Sequence, residues 1–164
     1  MWAHLRTKIA GLARTCRRIV PPPGATDRSG KPARAGGKRG GGELVLVVDD
    51  YQDAREMYAE YLEYAGYRVV TAANGAEAVE KALREKPEAI LMDLSMPLVN
   101  GCEATRILKA DERTRKIPVL ALSGHEVGSQ QARKAGCDDF LLRPCPPEDV
   151  EQRIRRLLRG RGNP

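Results

Sequence analysis

Five short apolar runs punctuate the chain between positions 44 and 142, and between them apolar residues recur every three or four positions. The first run, Leu44-Val45-Leu46-Val47-Val48, has no polar alternation, so a strand built from it is buried on both faces. Behind it, Ala54, Met57, Tyr58, Tyr61, Leu62 and Ala65 fall at helical steps, and Gly66 supplies a helix stop. Residues 67–72 read as a second strand. Asn74 caps a helix to about Glu85, which Pro87 ends. A third strand at 89–92, a helix from about Gly101 to Ala110 and a fourth strand at 118–122 follow. A short helix before Gly136, a fifth strand at 140–142 and a helix after Pro146-Pro147 complete the series. Five strand-helix repeats predict an α/β fold: parallel strands need crossovers, and right-handed crossovers place helices on both faces of the sheet.

Composition narrows this to one domain. The 164 residues are 41% apolar, enough for one core. The net charge of +6 is unevenly spread: residues 1–42 carry ten Lys or Arg against Asp27 alone, a net of +9, while the other 122 residues carry eighteen bases and twenty-one acids, a net of −3. The basic character therefore belongs to an extension and says nothing of nucleic-acid binding by the folded part. From Pro21 to Gly42 almost nothing apolar is available to offset the entropy of ordering, so residues 1–42 are expected to be a disordered, Pro/Gly-rich extension. Within it, Trp2, Leu5, Ile9, Leu12, Cys16 and Ile19 share one arc of a helical wheel. Residues 2–20 thus have the pattern of a basic amphipathic helix suited to an anionic membrane, a nucleic acid or a partner protein. The competing expectation is an unstructured leader, or translated sequence ahead of the true start. A folded domain is expected over 43–160, with a short tail at 161–164 and no DNA-binding output domain.

No run approaches the roughly 18 apolar residues of a membrane span and no secretory signal is evident, which points to the cytoplasm. Cys16, Cys102, Cys137 and Cys145 form no CxxC pair, and His4 and His125 give no zinc spacing, so the cysteines read as reduced thiols. The arginines at 153, 155, 156, 159 and 161 read as the solvated face and tail of the last helix.

The candidate chemistry lies at strand ends. Asp49 and Asp50 follow the first strand and Asp93 follows the third. In a doubly wound sheet of order 2-1-3-4-5 those strands flank the switch point where a crevice opens. Neighbouring strands lie about 4.8 Å apart, so the three carboxylates converge. Unit charges about 4 Å apart repel by roughly 4 kcal/mol at an effective dielectric near 20, so the cluster needs a counter-ion or protons. Magnesium suits such a cluster, because it accepts a few carboxylate or phosphate oxygens and keeps several waters. With the charge neutralised, one carboxylate can attack a phosphoryl group and become an acyl phosphate. Ser123 and Arg143, at the ends of the fourth and fifth strands, are placed to supply a hydroxyl and a cation to the transferred group.

Four motifs in register carry a resemblance: Val45-Leu46-Val47-Val48-Asp49-Asp50; Asp93-Leu94-Ser95-Met96-Pro97 with Gly101; Val119-Leu120-Ala121-Leu122-Ser123-Gly124; and Asp138-Asp139-Phe140-Leu141-Leu142-Arg143-Pro144. In order and spacing, residues 44 to about 159 resemble the receiver domain of two-component response regulators, which have a flavodoxin-like fold. The resemblance implies that Asp93 is the phosphoacceptor, that Asp50 is a direct magnesium ligand, and that Asp49 is a metal-site acid acting mostly through water. It makes the backbone carbonyl of Ser95 a further ligand, Ser123 the switch hydroxyl and Phe140 the switch aromatic. Phe140 also reads more simply as a core aromatic. The family has Lys where this chain has Arg143; Arg keeps the charge but is planar and longer, so the swap is not neutral. Gly124 stands where the family usually has Ala. The implied partners are a histidine kinase or phosphotransfer protein and a downstream protein target, and the implied role is signalling rather than turnover. The alternatives are a non-phosphorylating interaction module and, more distantly, a metal-dependent hydrolase.

Overall fold

The computed structural model describes residues 42–96, 100–124 and 127–160. The helical pattern at 2–20, all but the last residue of the linker, and the tail at 161–164 lie outside the described residues. In chain order the elements are β1 (Leu44–Val48), α1 (Gln52–Tyr64), β2 (Arg68–Ala72), α2 (Gly75–Glu85), β3 (Ala89–Asp93), α3 (Gly101–Ala110), β4 (Val119–Ser123), α4 (Val127–Ala135), β5 (Asp139–Leu142) and α5 (Pro147–Gly160). The strands form one sheet in the order β2-β1-β3-β4-β5, and every pairing is parallel. This is the doubly wound, flavodoxin-like arrangement, with the strand order reversing between β1 and β3.

Alternation along the strands divides the core in two. Val45, Val47, Leu91, Leu120 and Leu122 pack with Ala54, Tyr58 and Leu62 of α1 and Val150 and Ile154 of α5. Leu46, Val48, Ile90, Met92, Val119 and Ala121 pack on the other face with Ala78 and Ala82 of α2, Ala104 and Leu108 of α3 and Ala132 of α4. The central strands β1, β3 and β4 are buried at every position, whereas the edge strands β2 and β5 are partly exposed. The unalternated Val, Ile and Leu runs therefore reflect two covered faces.

The helix starts follow from local chemistry. Asn74 Oδ1 accepts the Glu77 N–H at 2.9 Å while Glu77 Oε2 accepts the Ala73 N–H at 2.7 Å, so two otherwise unsatisfied donors at the start of α2 are paired. Asn100 caps α3 in the same way, accepting the Glu103 N–H at 2.9 Å. Gly66, at φ +100°, turns the chain out of α1 in a conformation that side chains rarely adopt.

Candidate functional site

All of the chemistry-bearing strand ends open on the same rim of the sheet. Asp49 leaves β1, its N–H held by the Ala72 carbonyl at 3.1 Å. Asp93 is the last residue of β3 and Ser123 the last of β4. Arg143 follows β5, its N–H donating to the Ser123 carbonyl at 2.7 Å. The parallel register sets Val48 beside Met92, Asp93 beside Leu122 and Ser123 beside Leu142, which brings the side chains leaving these positions into one crevice.

Asp49, Asp50 and Asp93 each offer a carboxylate oxygen, and these atoms lie within 4.8 Å of one another. Asp49 and Asp93 are buried, and Asp50 is half-buried at the mouth. Such a set of hard oxygen donors fits a small divalent cation. One oxygen of each buried acid is oriented by the backbone: Asp49 Oδ1 accepts the Tyr51 N–H at 2.8 Å, and Asp93 Oδ1 accepts the Ser95 N–H at 2.9 Å. The other oxygens face Arg143. Its Nη2 donates to Asp49 Oδ2, and its Nη1 lies 3.3 Å from Asp93 Oδ2. One guanidinium thus spans two carboxylates, and its side chain is only 7% exposed. Arg143 Nε, by contrast, is buried and has no hydrogen-bond partner among the described residues.

Electrostatics follow from this crowding. Burial pushes the Asp93 carboxyl up to about 6; Arg143 pulls it back, and Asp49 adds to the rise. Asp49 is likewise raised, chiefly by burial and against the pull of Arg143. Burial works against the charge on Arg143, but Asp93 and Asp49 together lift its pKa above the ordinary arginine value. Arg143 offsets both buried acids, and removing the partner that compensates a buried charge typically costs about 3–5 kcal/mol.

The sequence-predicted residues Asp49, Asp50, Asp93, Ser95, Ser123 and Arg143 all meet at this rim. Phe140 does not. It sits three residues back in β5, partly buried against the core face that contains α3 and α4. The sequence reading missed several contributors. Arg55 Nη1 donates to the Asp49 carbonyl at 2.6 Å, a contact that the helical periodicity of α1 could not single out. Glycine occurs at two close approaches. A Cβ on Gly101 would lie 2.1 Å from the Asp93 carbonyl oxygen, and one on Gly128 would lie 1.9 Å from Ser123 Oγ. The spacing Met-Pro-x-x-x-Gly pointed to Gly101, but nothing in the sequence marked Gly128.

The response regulator receiver domain model matches residues 45–155. The chain is 37% identical over 123 residues to the phosphate regulon transcriptional regulatory protein PhoB of Pseudomonas aeruginosa, covering 74% of this chain and 54% of that protein. It is 36% identical over 117 residues to the chemotaxis protein CheY of Thermotoga maritima, covering 71% of this chain and 98% of that protein. It thus spans about half the length of PhoB and similar transcriptional regulators, and nearly all of CheY. Among solved structures, the receiver domain of the sensor histidine kinase PA1611 of Pseudomonas aeruginosa, described with a magnesium ion coordinated in its active site cleft, superposes with a TM-score of 0.67 at 31% identity. That match covers 71% of this chain and 98% of the other.

Proposed function

Because this chain belongs to the response regulator receiver domain family, we propose that it accepts a phosphoryl group on Asp93 and signals through protein binding that depends on that phosphorylation. Phosphorylation on aspartate and magnesium binding are general properties of the family. The observation that carries the reading is the placement of Asp93 at the end of β3, buried in the crevice beside β1, with a second acid and a cation on its Oδ2 side.

The chemistry assigns each residue a task. An Asp93 carboxylate oxygen attacks phosphorus while the P–N bond of a phosphohistidine donor breaks; its electron pair returns to the imidazole nitrogen, which takes a proton. The donor is a histidine kinase or phosphotransfer protein. The Ser95 N–H on Asp93 Oδ1 orients the nucleophile and leaves Oδ2 toward the incoming group. Arg143 offers guanidinium donors to the phosphoryl oxygens, and the Ser123 hydroxyl donates to another. Asp49, Asp50, Asp93 and the Ser95 carbonyl would hold a magnesium ion, which supplies charge neutralisation at the equatorial oxygens. Phe140, on the edge strand against the face that contains α3 and α4, would report the change to a downstream protein. Among the described residues no helix is long and apolar enough to cross a membrane, and we place the protein in the cytoplasm.

Incubation with acetyl phosphate and magnesium should add one phosphoryl mass to the intact protein, and Asp93→Ala should abolish the adduct. Absence of an adduct on the wild type would overturn the reading. A second reading is favoured by Arg143, which already neutralises part of the cluster: a non-phosphorylating interaction module with a constitutive surface. On that reading Asp93→Asn leaves partner binding unchanged.

A further inference from the structure

The buried face of α1 carries Ala54, Tyr58 and Leu62 at successive helical turns, and the middle residue brings a hydroxyl into an otherwise apolar layer. A buried hydroxyl is unfavourable unless paired. Tyr58 Oη donates to the Cys145 carbonyl at 3.1 Å and lies 3.3 Å from Cys145 Sγ. Both residues are buried, and 87 positions of sequence separate them.

Cys145 lies two residues beyond Arg143. The turn that leaves β5 is therefore held at two points, by the Arg143 N–H on the Ser123 carbonyl at 2.7 Å and by the Tyr58 hydroxyl on the Cys145 carbonyl. Between those points the Arg143 side chain runs inward to bridge Asp49 and Asp93. Asp49 and Asp93 take the terminal nitrogens of the guanidinium, while Nε is buried without a partner among the described residues. Its position is consequently set by the backbone of the turn. The other end of α1 is tied to the same site, through the Tyr51 N–H on Asp49 Oδ1 and Arg55 on the Asp49 carbonyl. Burial raises the phenol of Tyr58 far above its ordinary value, with Arg143 lowering it and Asp49 raising it, so the hydroxyl keeps its proton and remains a donor.

We propose that Tyr58 is a positioning residue: its buried hydroxyl fixes the Arg143–Cys145 turn and so holds the Arg143 guanidinium across Asp49 and Asp93. The inference rests on the reading that Arg143 serves the transferred phosphoryl group. Tyr58→Phe removes the hydroxyl and keeps the ring that fills the core. A loosened Arg143 serves phosphoryl transfer less well and competes less with a metal ion for the same carboxylates. Adduct formation from acetyl phosphate should therefore slow about tenfold, while magnesium affinity, titrated calorimetrically with no phosphodonor present, should rise severalfold. Both effects should disappear in an Arg143→Gln background. General structural damage would instead lower rate and affinity together. No change in either quantity, a joint fall, or equal effects in both backgrounds would overturn the proposal. If the wild type forms no adduct, the phosphotransfer reading falls, and the magnesium titration still decides whether Tyr58 positions Arg143. Should Tyr58→Phe fail to fold, hydrogen exchange at Arg143 Nε–H in the wild type is decisive: strong protection supports a fixed guanidinium, and exchange as fast as at exposed arginines overturns it.

Discussion

Asp93 ionises less readily in the folded protein than its ordinary value of 3.8 allows, because burial, offset in part by Arg143, pushes it to about 6. The folded state therefore binds more protons than the unfolded state between those values, and stability falls as pH rises from about 3.8 through 6. Above that window the cost of the buried charge is present in full, on the order of 1–3 kcal/mol. In chelator-treated buffer, Asp93→Asn should be more stable than the wild type by that amount at about pH 7.5, and the gap should close toward about pH 4.5. Urea unfolding at the two pH values measures it; a gap independent of pH would contradict the argument. Arg143 gives a second residue-scale expectation. A lysine ammonium is a point charge and cannot span Asp49 and Asp93 as the planar guanidinium does. Arg143→Lys should free one carboxylate and tighten magnesium binding on the order of fivefold, about 1 kcal/mol, as read by calorimetry.

At the scale of elements, α4 is docked on β4 through a glycine. A Cβ at position 128 would fall 1.9 Å from Ser123 Oγ, which can rotate away, but also 2.7 Å from Ser123 Cβ, which the β4 backbone fixes. Gly128→Ala should thus push the start of α4 off the end of β4, read as a lower urea midpoint, and displace the hydroxyl from the transferred group. Loss of one such donor slows reactions about a hundredfold to a thousandfold, and adduct formation should slow toward that range. Gly101 differs, since there the close atom is the Asp93 backbone carbonyl, which cannot turn aside. These approaches mark the limit of what was legible in the sequence. Strand and helix periodicity located every element of the sheet, and strand ends located Asp49, Asp93, Ser123 and Arg143, because position along a strand determines side of the sheet. The start of β5 was off by one: Asp139 pairs with Leu120, which the apolar run beginning at Phe140 did not reveal. The Arg143 bridge and the Tyr58–Cys145 hydrogen bond were illegible for a different reason. They join segments 94 and 87 residues apart, and their existence depends on the direction of side chains rather than on the order of elements.

On the scale of the whole molecule, charge and core occupy different parts of the chain. The buried apolar residues described run from Leu44 to Ile154, while residues 1–42 hold ten bases and one acid. The remaining 122 residues have a net charge of −3, so a form beginning at Glu43 reverses the sign of the whole-chain charge of +6. A polybasic segment is drawn to an anionic surface by about 1 kcal/mol per Lys or Arg near it, an attraction that salt screens as the Debye length shortens. The full chain should therefore float with phosphatidylserine-containing vesicles at low ionic strength and leave them as salt rises. The form starting at Glu43 should stay behind under both conditions yet still take up phosphate from acetyl phosphate, because every residue of the candidate site lies at or beyond Asp49. Equal flotation of the two forms would remove the extension from any role in surface recruitment. Loss of the adduct in the shorter form would show that the extension contributes to the acceptor site itself.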